Sequence, residues 1–144
     1  MQRRDFIKGA CRICLLGAAG SAVVAGMEAC SPSANKALLS PPVNNDQFLV
    51  PVSLFDKQSF QIVSPAKYPY EIAIEKKEDN TYSAILLKCT HYDNQLTPTG
   101  RGFTCSLHGS KFTKEGEVLN GPAARPLQHL RTQVINNNIL INLQ

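Results

Sequence analysis

Two short clusters, Cys89-Thr90-His91 and Cys105-Ser106-Leu107-His108, hold two of the five cysteines and two of the three histidines of the 144-residue chain. A thiolate and an imidazole one or two residues apart can be presented together by one tight loop. Two such loops, with thirteen residues between His91 and Cys105, can close on a common site. Thiolate sulfur and imidazole nitrogen suit transition metals, so metal chemistry is in view. A disulfide between Cys89 and Cys105 is open to a protein in an oxidising compartment, but it leaves both histidines and the matched spacing without a purpose. A structural zinc ion suits the same two cysteines and two histidines, and ligand identity alone does not exclude it.

Strands must position these loops. From Gln47 the chain falls into short apolar runs separated by turn signals. FLVPVSLF (48–55) is interrupted by Pro51, which predicts an edge or broken strand. QSFQIV (58–63) and YEIAIE (70–75) alternate as half-buried strands do, and KKEDN (76–80) is a polar turn. TYSAILLK (81–88) is a strand leading directly into Cys89. LRTQVI and ILINL flank Asn136-Asn137-Asn138, a hairpin signal because Asn tolerates positive φ. No sustained helical period follows residue 30, and no repeat is present. The expectation is an all-β, antiparallel domain over 46–144, with a loop-rich insert from about 89 to 125 that carries the chemistry. Composition agrees: 43% apolar residues, no tryptophan, nine prolines and nine glycines suit a small, turn-rich β domain.

The first thirty residues read as an address. A basic start is followed by an uncharged run from Ile13 to Met27, too short and too rich in Gly and Ala to span a bilayer well. It suits the apolar region of a signal peptide, or a membrane-anchoring helix. Arg3-Arg4-Asp5-Phe6-Ile7-Lys8 resembles the twin-arginine export signal, with Gln2 where Ser or Thr is usual, and that resemblance implies export of an already folded protein. Cys11 and Cys14, inside this segment, read as small apolar side chains. Cys30 closes the run and precedes a Ser/Pro/Asn-rich stretch, 31–45, that reads as a flexible tether. This layout resembles a bacterial lipoprotein with lipid on Cys30, although Met27 and Glu28 depart from the usual signal. An uncleaved anchor and ordinary signal-peptidase removal are the alternatives. Past residue 30, eleven bases face nine acids, and no basic stripe argues for a nucleic-acid partner.

With its neighbours, CTH…CSLHGSKF followed by GEVLNGPAARPL resembles the Rieske iron–sulfur family. The resemblance covers roughly residues 85–127, and it implies a Rieske-type β sandwich whose cluster-binding part spans about 88–126. It implies one [2Fe–2S] cluster per chain, with Cys89 and Cys105 on one iron and His91 and His108 on the other. Gly109 fits a tight turn where amides can point at cluster sulfur. Gly121-Pro122-Ala123 resembles the proline-containing loop that shields the cluster from water.

High-potential members of cytochrome bc complexes add a cysteine to each loop, joined as a disulfide. The corresponding positions here are Asn94 and Leu107, so that bridge is absent, as in Rieske ferredoxins. Those members also donate hydrogen bonds to cluster sulfur from a Ser and a Tyr; Ser110 is retained, but Phe112 cannot donate. The expected potential lies inside the Rieske span of about −150 to +300 mV but below its top. The function implied is electron transfer, as a membrane-associated carrier or a subunit of a quinol-oxidising complex on the periplasmic side of a bacterial envelope membrane. A free-standing ferredoxin-like carrier and a zinc-stabilised binding module are the alternatives. Exposed ligand histidines would couple proton binding to reduction. His129 reads as a surface or packing residue, Tyr92 as a cover for the cluster, and Arg101, Lys111 and Lys114 as scattered charges that can steer an acidic redox partner.

Overall fold

The computed structural model describes residues 39–144. The signal or anchor helix expected over 1–30, with Cys11, Cys14 and Cys30, lies outside the described residues. Of the stretch read as a tether, 39–43 lies against the core: Pro41 is buried, and the Pro41 carbonyl accepts the Ala66 amide at 2.8 Å.

Among the described residues, ten antiparallel strands form two sheets. The larger sheet takes β1 (Gln47–Pro51), β2 (Phe60–Val63), β3 (Ile72–Lys76), β4 (Tyr82–Leu86), β9 (His129–Ile135) and β10 (Asn138–Asn142), in the order β1-β10-β9-β4-β3-β2. Phe48 and Val50 of β1 point inward while Leu49 and Pro51 point out, the period-two pattern of a strand with one covered face. β1 is an edge strand, as Pro51 requires, and the chain leaves it in a single 3-10 turn, Val52–Phe55. Beside that turn, β9 and β10 are joined by Asn136 and Asn137, whose φ angles of 48° and 60° give the left-handed pair that a two-residue hairpin needs, and the Asn137 carbonyl accepts the Val52 amide at 3.0 Å.

Phe48 and Val50 of one edge strand share a buried cluster with Val63 of the other edge strand. A flat sheet cannot bring its two edges together, so this one curls around its core. The Gln61 side chain secures the curl by donating to the Leu54 carbonyl at 3.0 Å. Each aliphatic side chain fully buried here contributes about 1.5–3 kcal/mol over exposure.

The smaller sheet takes β5 (Thr97–Thr99), β6 (Gly102–Thr104), β7 (Lys111–Thr113) and β8 (Val118–Asn120) in sequential order. The segment expected to be loop-rich therefore contains a sheet. Its strands have three residues each, too short to display a period of two, which is why the sequence pattern did not reveal them. Glycine is required at 102, the first residue of β6: its φ is 151°, and a Cβ there would sit 2.1 Å from the Phe112 carbonyl oxygen of the paired strand.

This second sheet changes the status of β2–β4. All three are covered on both faces, where β2 and β3 read from the sequence as half-buried. Ile72 and Ile74 enter the first core, while Ala73, with Ile62, Ile85 and Leu87, enters a second core shared with Leu96, Phe103 and Phe112. Ala73 fits the alternation as a small residue whether its face is wet or dry, so the sequence does not separate the two cases. Cys89 and Cys105 belong to the second core.

Candidate metal centre

Two hairpins carry the four candidate ligands. The first leaves β4 through Leu87 and Lys88, closes through a Lys88–Gln95 bridge and places Cys89, His91 and Asn94 in the loop. The second connects β6 to β7, with Thr104 paired to Lys111, and places Cys105 and His108 in the loop. Both loops close alike: the Cys89 amide donates to the Asn94 carbonyl at 2.8 Å, and the Cys105 amide donates to the Ser110 carbonyl at 2.8 Å. A span of five residues between donor and acceptor recurs in both, although the Cys–His spacings differ by one residue.

The cysteines and histidines have opposite surroundings. Cys89 is 1% exposed and Cys105 2%, and they form no disulfide. His91 and His108 are exposed, with ring centroids 5.0 Å apart and planes at 84°. Tyr92, 69% exposed, completes a triangle of rings, 6.4 Å from His91 and 6.2 Å from His108. Each loop thus sends its sulfur inward and its imidazole outward.

Burial pushes the Cys105 thiol up, but the opposing hydrogen bonds win. The backbone amides of Leu107 and His108, the neighbouring Cys89 side chain and the Asn94 amide together hold it below the ordinary thiol value. The Asn94 Nδ2 lies 3.6 Å from Cys105 Sγ. Gly109, at φ 79°, makes the expected tight turn. Its own amide donates to the Cys105 carbonyl at 3.0 Å, so the amides that face sulfur are those of the two residues before it.

A third segment, running from Asn120 to Pro126, lies beside both loops. The buried Ser110 hydroxyl oxygen accepts the Ala123 amide at 3.0 Å, tying this segment to the second loop. Thr90 Oγ1 donates to the Arg125 carbonyl at 2.6 Å, tying it to the first. Pro122, whose peptide bond from Gly121 is cis, is exposed, while Ala123 is buried. Phe112, 1% exposed, lies in the core beneath the cysteines. His129 stands apart at the surface, with its Nε2 2.9 Å from the Glu115 carbonyl. Arg101 and Lys111 flank one cleft on the small sheet, with Lys114 exposed in the turn after β7. Sequence reasoning passed over Thr90 as the spacer of C-x-H, and no local signal marks it, because its partner is 35 residues away.

The donor set can be tested against the group it would hold. A tetrahedral single-metal site needs its donors around one point. Two inward sulfurs and two outward imidazoles form instead a divided set, which suits a centre with two metal ions.

A curled antiparallel sheet carrying a small sheet, with paired Cys/His hairpins at one end, defines a class of iron–sulfur electron-transfer domain. The model of the Rieske [2Fe-2S] domain matches residues 44–132, and the chain belongs to that family. The cofactor of such a domain is a [2Fe–2S] cluster. The chain is similar to cytochrome b6-f complex iron-sulfur subunit 3 of Nostoc sp. (strain PCC 7120), with 40% identity over 70 residues, covering 46% of this chain and 39% of that protein. It is 36% identical over 70 residues to subunit 2 of the same organism, again covering 39% of that protein. The match thus spans about two fifths of these relatives. Among solved structures, the plasma membrane Rieske protein PetC3 from Synechocystis PCC 6803 superposes with a TM-score of 0.50 at 28% identity, over 64% of this chain and 94% of that one.

Proposed function

We propose that Cys89 and Cys105 hold one iron of the cluster and His91 and His108 the other, and that the chain is a one-electron carrier or electron-transfer subunit held at a membrane surface. The observation that carries this reading is the asymmetry of the site: two buried thiols, 1% and 2% exposed, beneath two exposed imidazoles. When bound, the cluster supplies one-electron redox chemistry. The protein residues do the rest. The amides of Leu107 and His108 favour negative charge on the Cys105 sulfur. Ser110 and Thr90 hold the third segment against the two loops, which limits water at the buried side. The imidazole edges of His91 and His108, at the surface, give electrons a short path to a partner and a place for a proton.

Similarity to proteins named as cytochrome b6-f iron-sulfur subunits and as a plasma membrane Rieske protein supports a membrane complex as the partner, with the chain on the outer side of a bacterial membrane. Residues 1–30 then serve as a twin-arginine signal or anchor, followed by the tether and the cluster-bearing domain. Mass spectrometry of membrane-extracted protein tests the N-terminus: an acylated Cys30 as first residue fits a lipid anchor, and an intact Met1 rejects it.

The main test is an EPR-monitored redox titration with iron analysis. A reduced-state Rieske signal with two irons per chain is expected, lost in Cys89→Ser and His108→Ala. A midpoint near the top of the Rieske span of about −150 to +300 mV favours a quinol-linked complex, and one near its foot a ferredoxin-like carrier. Colourless protein that keeps zinc after anaerobic iron reconstitution would overturn the reading.

A further inference from the structure

Asn94 touches both cysteine residues. Its backbone carbonyl accepts the Cys89 amide at 2.8 Å, and its side-chain Nδ2 faces Cys105 Sγ, in the other loop, at 3.6 Å. The same nitrogen donates to the Gln95 carbonyl at 3.0 Å, which fixes the plane of the amide. An NH2 group has two protons, so one serves Gln95 and the other is aimed across the gap between the loops. The side chain is half-buried, where a hydrogen bond is electrostatically stronger than in water.

We infer that Asn94 is a positioning residue that ties the two ligand loops together and, by donating to the Cys105 sulfur, raises the midpoint potential of the centre. This rests on the ligand assignment proposed above. Reduction delivers one electron from the redox partner and makes or breaks no covalent bond; the centre gains one negative charge. A neutral donor held against a ligand sulfur gains interaction with that charge, so it favours the reduced state. Glutamine would have to fold its extra methylene into the same space, and aspartate would set acceptor oxygens against a thiolate. Leucine matches the volume and removes both donors. An exposed leucine, Leu107, already sits in the opposite loop, so an apolar side chain at this end of the domain is no foreign element.

The experiment uses the full chain loaded with iron, parent and Asn94→Leu, titrated under EPR detection. The expected result is a lower midpoint in the fraction that carries iron, at unchanged reduced-state line shape. An unchanged midpoint overturns the inference, even if the variant loses its cluster faster, since a loop tie alone would change retention and not potential. Should Asn94→Leu retain no iron, the parent labelled with 15N in its asparagine side chains decides by pulsed EPR. A side-chain 15N coupling that survives Asn120→Ala supports the donor role, and no coupling overturns it. A parent without any Rieske signal removes the ligand assignment, and the role of Asn94 with it.

Discussion

Phe112 sits under the cysteines with 1% of its surface exposed, in the strand that follows the second ligand loop. A tyrosine there would add a donor at the buried side of the centre. A hydrogen bond stronger by about 1 kcal/mol in the reduced state corresponds to roughly 40 mV, since about 1.4 kcal/mol is tenfold and about 59 mV for one electron. Phe112→Tyr is therefore expected to raise the midpoint by several tens of mV, read by redox titration. If the new hydroxyl finds no acceptor, the titration will show no shift and thermal unfolding will show a loss of about 1–3 kcal/mol instead. At this scale the sequence was most informative about residues whose chemistry is intrinsic. Cys89, His91, Cys105 and His108 declare themselves by type and spacing. Asn94 and Thr90 do not, because what they do depends on a sulfur eleven residues away and a carbonyl 35 residues away.

Among the elements, the β6–β7 hairpin is the most exacting. Gly102 starts it with a φ of 151° and no room for a side chain against the paired backbone. A backbone oxygen cannot move aside as a flexible side chain can, so Gly102→Ala must distort the pairing that aims Cys105. We expect a loss of about 2–4 kcal/mol in chemical denaturation and weakened iron retention, whereas Gly100→Ala, where a Cβ meets nothing within 4 Å, should be near neutral. The longer strands and the Asn-Asn hairpin were legible because four or more residues with a turn signal carry a readable period. The three-residue strands of the small sheet were not: only pairing defines them, and pairing is a tertiary property.

At the scale of the whole molecule, β2–β4 form a wall common to two cores. Leu87, fully buried, stands on the side of that wall where the second core holds Cys89 and Leu96. Leu87→Ala should cost about 2–5 kcal/mol through lost burial and the cavity left behind. Calorimetry should show a single transition moved to lower temperature, because a wall with two faces cannot let one core melt alone; two separated transitions would reject the shared wall. Alternation in the sequence predicted strands correctly but could not say that both faces are dry, since an alanine between isoleucines satisfies either case. The same wall has a consequence for how such a protein can diversify. The chain leaves the large sheet after Leu86 and re-enters it at His129, on strands that are direct neighbours, with Ala84 opposite Leu130 and Ile85 opposite His129. Everything between is an excursion with adjacent endpoints. Loops within it can lengthen, shorten or be exchanged with no change of register in the sheet that supports them, so the redox properties and the frame can be inherited, or engineered, as separate traits.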